Sequence, residues 1–163
     1  MRVPDDGSTL LEVLRTYAGV QSAKDGCAPQ GQCGCCTVWV DGAPRVSCVT
    51  PLARVRDREV TTVEGLEPDT VREWGDTLCA TGASQCGFCT PGILMRLEAV
   101  RRSAGASLNV HQVDQAMLAH LCRCTGWQTI EEAALAVGVP GSIRVGRDLV
   151  AAERRALLEG GTP

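Results

Sequence analysis

Apolar and polar positions follow two different periods along this chain, and the change comes near residue 65. Leu10, Leu11 and Leu14 share one side of a short helical segment ending near Gly19, and Thr9-Leu10-Leu11-Glu12 has the form of a capping box at its start. Thr37-Val38-Trp39-Val40 is β-branched and aromatic and predicts a strand. Asp41-Gly42 predicts a hairpin turn, and Arg45 to Cys48 the return strand. Arg58 to Val63 is a further β-branched run. Between helix and hairpin, Gly26 to Cys36 has no periodicity and is rich in Gly and Cys.

Beyond a linker at Glu64 to Pro68 the spacing becomes helical. Residues 70–80, 91–104, 110–121 and 128–138 are rich in Ala, Leu, Arg and Glu, and Thr90-Pro91 offers an N-cap followed by Pro in the first turn. The pattern predicts an α+β chain: a small mixed unit over 1–65, a four-helix bundle over 66–138, and a tail over 139–163. The tail reads as an extended segment at 139–146, then a charged helix from about Arg147 to Leu158. There is no internal repeat.

Composition adds a constraint. The chain has 163 residues and is 44% hydrophobic, but Tyr17, Trp39, Trp74, Phe88 and Trp127 are its whole aromatic complement. Small domains with so lean a core usually need a disulfide or a metal as an added cross-link, and ten cysteines supply the means. A net charge of −3 with mixed signs favours neither nucleic acid nor an anionic membrane. Met1 to Asp6 lacks the basic start and apolar run of a secretory signal, and no stretch is long enough to span a bilayer. The expectation is a cytoplasmic chain, whose clustered thiols read as metal ligands.

The cysteines form two groups. Cys27, Cys33, Cys35 and Cys36 lie on one loop, with Cys48 across the hairpin. Three thiolates on a loop and a fourth on a nearby strand is the layout of plant-type [2Fe–2S] ferredoxins. Each iron needs two thiolates, so one loop must wrap the cluster while a distant residue closes it. Gly26, Gly31 and Gly34 let the backbone approach and aim N–H groups at the sulfurs. The second group, Cys86-Gly87-Phe88-Cys89 with Cys122-Arg123-Cys124, lies at helix ends and can close on one centre between facing helices. Structural zinc accepts the same ligands and is the competing reading. A disulfide framework is disfavoured because neighbours such as Cys35 and Cys36 bridge badly. His111 and His120, possible ligands by analogy with Rieske centres, are expected on helix surfaces. Cys79 is expected to be a small buried hydrophobe, and the three tryptophans core or interface residues.

Four strings carry a resemblance: Gly26-Cys27 through Cys33-Gly34-Cys35-Cys36-Thr37-Val38; Val60 to Gly65; Gln85-Cys86-Gly87-Phe88-Cys89-Thr90-Pro91-Gly92; and Leu121-Cys122-Arg123-Cys124-Thr125-Gly126. Over roughly residues 8–138 the chain resembles the iron–sulfur subunit or domain of the molybdenum hydroxylases, the xanthine oxidase, aldehyde oxidoreductase and carbon monoxide dehydrogenase family. The resemblance implies a β-grasp ferredoxin-like domain followed by a four-helix [2Fe–2S] domain. It implies that Cys27, Cys33, Cys36 and Cys48 hold an outer cluster and Cys86, Cys89, Cys122 and Cys124 an inner one. Gln85 and Cys124 would approach a molybdenum–pterin cofactor on a partner. Electrons would run from molybdenum through both clusters to FAD or another acceptor, making this chain an oxidoreductase component without turnover of its own. A stand-alone ferredoxin-like carrier is the alternative.

Three departures from the family stand out. Five residues, Ala28 to Gln32, separate Cys27 from Cys33 where four are usual. Cys35 stands where Ala is usual, as a spare thiol or a substitute for Cys36; the spacing from Cys33 favours Cys36. The family's opening hairpin is reduced to Met1 to Pro4, so one strand is expected to be missing. Trp127 replaces a frequent Tyr, and Arg123 is either a partner for a reduced cluster or a surface ion-pair former.

Overall fold

The computed structural model describes residues 7–105, 108–139 and 143–160; the expected remnant strand at Met1 to Pro4 lies outside them. Its elements are six α-helices and a small antiparallel sheet, an α+β arrangement. They pack as two compact units. The first holds the described residues up to Leu66 together with Gly87–Ala99 and Ala119–Leu121, and the second holds Glu67–Cys86, Val100–Leu118 and the chain from Cys122 onward.

In the first unit, α1 (Leu10–Thr16) starts where expected, with Thr9 Oγ1 accepting from Glu12 N at 3.3 Å. β1 (Thr37–Val40) is the middle strand, between β2 (Ala43–Val46) and β3 (Val60–Thr61). All four β1 residues are buried, so both faces of the strand are covered. Alternation sorts them. Val38 and Val40 join Cys36 and Cys48 in a core with Leu10, Leu11 and Leu14 of α1. On the opposite face Trp39 donates its indole N–H to the Met95 carbonyl at 2.8 Å. Asp41 (φ 50°) and Gly42 (φ 75°) form the hairpin turn, whose two left-handed residues match the twist of the flanking strands. The return strand is Ala43–Val46 rather than Arg45 to Cys48, because Ser47–Val49 turns into a 3₁₀ segment that carries Cys48 inward.

In the second unit, α2 (Pro68–Ala80), α4 (Val110–Met117), α5 (Gln128–Ala136) and α6 (Ile143–Leu158) pack with the end of α3 (Thr90–Ala104). α5 touches α2, α4 and α6, and Ile130 to Ala136 are all buried. α4 has a reciprocal capping box between Asn109 and Gln112, and Glu153 of α6 accepts from Val110 N at 2.9 Å. The free N–H groups at this helix start are thus met from two sides. α4 stops at Met117, short of the expected 121, and the chain leaves it as an irregular loop toward Cys122.

The tail departs from expectation. The segment expected to be extended already contributes Ile143 to Gly146 to α6, while residues 140–142 lie outside the described residues. Packing overrides local propensity here. A Cβ at Gly146 would collide with the Glu132 carbonyl of α5, so only Gly lets the two helices come this close. Val150 is buried, and Arg154 donates to both carboxylate oxygens of Glu131 at 2.7 and 2.8 Å.

Candidate metal centres

The first cysteine group lies in the first unit. Cys33, Cys35, Cys36 and Cys48 are buried and Cys27 is half-buried. The loop that carries them is held by left-handed turns at Ala28 (φ 54°), Gly31 (φ 68°) and Gly34 (φ 67°). Ala28 is in the five-residue spacer, and its N–H donates to Asp25 Oδ1 at 3.0 Å; a short polar side chain stabilising a turn in this way is a common local device. Gly26 is required by proximity, since a Cβ there would stand 2.9 Å from Cys33 Sγ and 3.3 Å from Cys35 Sγ.

The thiols meet one another: Cys33 stands between those of Cys27 and Cys35, and Cys36 meets that of Cys48. Burial pushes Cys27 up, but backbone hydrogen bonds from Gln32, Gln30 and Cys33 and the Cys33 thiol outweigh it and bring its pKa down to about 6. The Gln30 N–H reaches Cys27 Sγ at 3.3 Å. A loop that stabilises a thiolate by backbone donors suits a metal–sulfur ligand. Cys48 is pushed up to about 12, by burial first and then by the Cys36 thiol; without a cation beside it a second anion in this core is unfavourable. Among the described residues, no three His, Cys, Asp or Glu side chains converge as ligands of a single ion.

Cys35 meets the Cys33 thiol and carbonyl rather than Cys48. It donates to the Cys33 carbonyl at 3.7 Å, and burial, then Cys33, then Cys89 and Cys36 push its thiol up to about 12.

Of the second group, Cys89 belongs to the first unit and immediately precedes α3, its carbonyl accepting from Ile93 N at 3.1 Å. Cys86, Cys122 and Cys124 belong to the second unit. Cys124 donates to Cys86 Sγ at 3.6 Å, and that contact pushes the Cys124 thiol up. Thr125 Oγ1 donates to Cys122 Sγ at 3.1 Å. Gly126 (φ 71°) and Trp127 (φ 77°) then swing the chain from the cysteines into α5; Trp127 is a non-glycine residue in the left-handed region, a costly conformation. Cys86, Cys124, Gln85 and Arg123 are exposed, whereas Cys122 is buried.

Two expectations fail. Cys79 is exposed, because the buried side of α2 is the one bearing Trp74 and Leu78. His111 is exposed on α4 as expected, but His120 is buried. α4 has ended before His120, and Ala119–Leu121 packs into the first unit, where Leu121 N donates to the Cys33 carbonyl at 2.9 Å. Burial, then the Arg96 charge, lower the His120 pKa to about 4, so the ring is neutral near pH 7. No periodicity marks this residue in the sequence. Its place beside Leu121-Cys122 is the one hint available.

A family model described as a [2Fe-2S] binding domain matches residues 62–135. The chain is 39% identical to the nicotine 6-hydroxylase small subunit of Paenarthrobacter nicotinovorans over 139 residues, covering 85% of this chain and 82% of that one. It is 38% identical to a xanthine dehydrogenase of Blastobotrys adeninivorans over 154 residues, but spans only 11% of that protein's length. Its structure matches that of quinoline 2-oxidoreductase from Pseudomonas putida 86 with a TM-score of 0.72 and 33% identity, covering 86% of this chain and 84% of the other. No helix among the described residues is long and apolar enough to cross a membrane. With its cysteine strings, its α+β frame and a small subunit matched over most of its length, the chain belongs to the family of iron–sulfur subunits and domains of the molybdenum hydroxylases.

Proposed function

We propose that the chain is the electron-transfer part of a molybdenum hydroxylase, carrying electrons from a molybdenum–pterin centre on a larger partner through two [2Fe–2S] clusters to FAD or another acceptor. In sequence the chain is read as a β-grasp ferredoxin-like domain over 1–65, followed by a four-helix domain over 66–138. Cys27, Cys33, Cys36 and Cys48 are the ligands of the first cluster, and Cys86, Cys89, Cys122 and Cys124 of the second. Substrate chemistry belongs to the partner, and the free cysteines suit a reducing, cytoplasmic setting.

The observation that carries this reading is the meeting of thiols in the first group, with Cys33 between Cys27 and Cys35, and Cys36 against Cys48. With Cys35 left as a spare thiol, Cys27 with Cys33 and Cys36 with Cys48 would supply two thiolates to each of two irons. Bound there, the cluster supplies a one-electron couple. The chain's own residues do the rest: the left-handed glycines wrap the loop closely, its N–H groups meet developing negative charge, and the α1 leucines keep water from Cys36 and Cys48. The exposure of Gln85 and Cys124 supports a role facing the partner's pterin.

Low-temperature EPR of the dithionite-reduced protein, with iron and zinc measured on the same sample, tests the proposal. Two distinct rhombic signals and about four irons per chain are expected. Stoichiometric zinc without a signal refutes it.

A further inference from the structure

We propose that His120 is a positioning residue for the first cluster loop, donating from Nε2 through a two-step hydrogen-bond relay to the Gly34 carbonyl. The proposal rests on the first cysteine group holding a cluster. The whole relay lies in the first unit.

The proton assignment follows from donor arithmetic. Thr37 Oγ1 lies 2.7 Å from the Gly34 carbonyl oxygen, which can only accept, so the single hydroxyl proton of Thr37 is committed there. His120 Nε2 lies 3.3 Å from the same hydroxyl oxygen. With that proton already used, Nε2 must carry the hydrogen and donate. Nδ1 is buried with no hydrogen-bond partner of its own among the described residues, and the ring also faces the Gly92 backbone carbonyl. A buried polar nitrogen without a partner is unfavourable, so the fold holds this ring in place against that penalty.

What the relay grips is the peptide plane between Gly34 and Cys35. Its carbonyl also accepts from Thr37 N at 3.1 Å. Because a peptide is planar, fixing that oxygen fixes the direction of the Cys35 N–H on its other side. The plane is enclosed as well. A Cβ on Gly34 would collide with the His120 ring, and a Cβ on Gly92 would collide with the Gly34 oxygen and stand 3.0 Å from Cys35 Cα. One residue further, Leu121 N donates to the Cys33 carbonyl. The segment Ala119–Leu121 therefore clips two successive peptides of the loop carrying Cys33 and Cys36, and the same backbone runs straight on into Cys122. Backbone N–H directions around a cluster tune its potential, so the clip sets the electronic environment of the first site.

The test combines tautomer and potential. In ¹⁵N-histidine-labelled protein, with His111→Gln used to assign the signals, His120 is expected to be the Nε2–H tautomer near pH 7; an Nδ1–H tautomer overturns the relay. In redox titrations followed by EPR, His120→Leu and Thr37→Val are each expected to change the reduced-to-oxidised ratio of the first cluster several-fold at fixed potential, tenfold being about 59 mV for a one-electron couple. The second signal should stay put. The double variant should add little, because both substitutions break one relay, and His120→Gln, which keeps an N–H near Nε2, should restore most of the shift. Unchanged potentials in both single variants, or fully additive shifts, overturn the proposal. Should the unmodified protein take up no iron, the proposed function fails separately, and the tautomer together with a thermal-stability cycle of the same variants still judges the relay.

Discussion

The two cysteine groups offer the same side chains on opposite architectural terms. The first is built into a core: Cys36 and Cys48 pack with Leu10, Leu11, Leu14, Val38 and Val40, and the loop leading to Cys36 is closely enclosed at Gly26, Gly31 and Gly34. The second stands on loops between helices, with Cys86 and Cys124 exposed and Cys89 and Cys122 buried. A ligand inside a core serves two purposes, since its sulfur is also packing. A ligand on an exposed loop serves the metal alone and leaves one side open to a partner.

The largest expected effect tests that asymmetry directly. Cys36→Ala should remove the first EPR signal and about half the iron, and should also destabilise the protein by roughly 1–2 kcal/mol, because it opens space in the α1 core. Cys124→Ala should remove the second signal alone and change stability by about 0.5 kcal/mol or less beyond the lost cluster, as expected of an exposed side chain. Equal stability losses, measured by denaturant titration of the apo forms, would erase the distinction. Next is Gly92→Ala. It improves helix propensity in α3, yet its Cβ meets backbone at Gly34 and Cys35 that cannot yield easily, so a loss of about 1–3 kcal/mol and an altered first signal are expected. A stabilised variant with an unchanged spectrum would show that the loop is not tightly held.

Cys35→Ala should be milder. Both signals should persist, with a stability loss of about 1 kcal/mol, since its thiol is buried and its contacts are the Cys33 carbonyl and thiol, leaving Cys36 to meet Cys48. Loss of the first signal would transfer the ligand role to Cys35. The smallest effect concerns Glu64, whose carboxylate accepts from Thr62 Oγ1 at 2.6 Å and Ser22 Oγ at 2.8 Å. Burial raises its pKa somewhat, but these hydrogen bonds outweigh it and hold the group below the usual carboxylate value. Its folded pKa being depressed, its contribution is full above the unfolded value of about 4.5 and fades as pH falls through the folded one. The group is exposed and screened, so Glu64→Gln should cost about 0.5 kcal/mol or less near pH 7, with the difference in melting temperature vanishing in acid.

Much of this molecule was determined by the sequence alone. The cysteine spacing, the Thr9 cap, the Asp41-Gly42 turn and the β1 alternation are local: each depends on residues a few positions apart and on conformations those residues prefer anyway. Family membership follows from the same short strings. What only the tertiary structure decided is where non-neighbours meet. His120 looks like a surface residue at the end of a helical run until α4 stops early and the segment packs under Gly34. Ile143 to Gly146 looks extended until Gly146 seats against α5, and Cys79 looks like core until Trp74 and Leu78 take the buried side of α2. Close packing depends on the shapes of distant neighbours, and no window of sequence contains them.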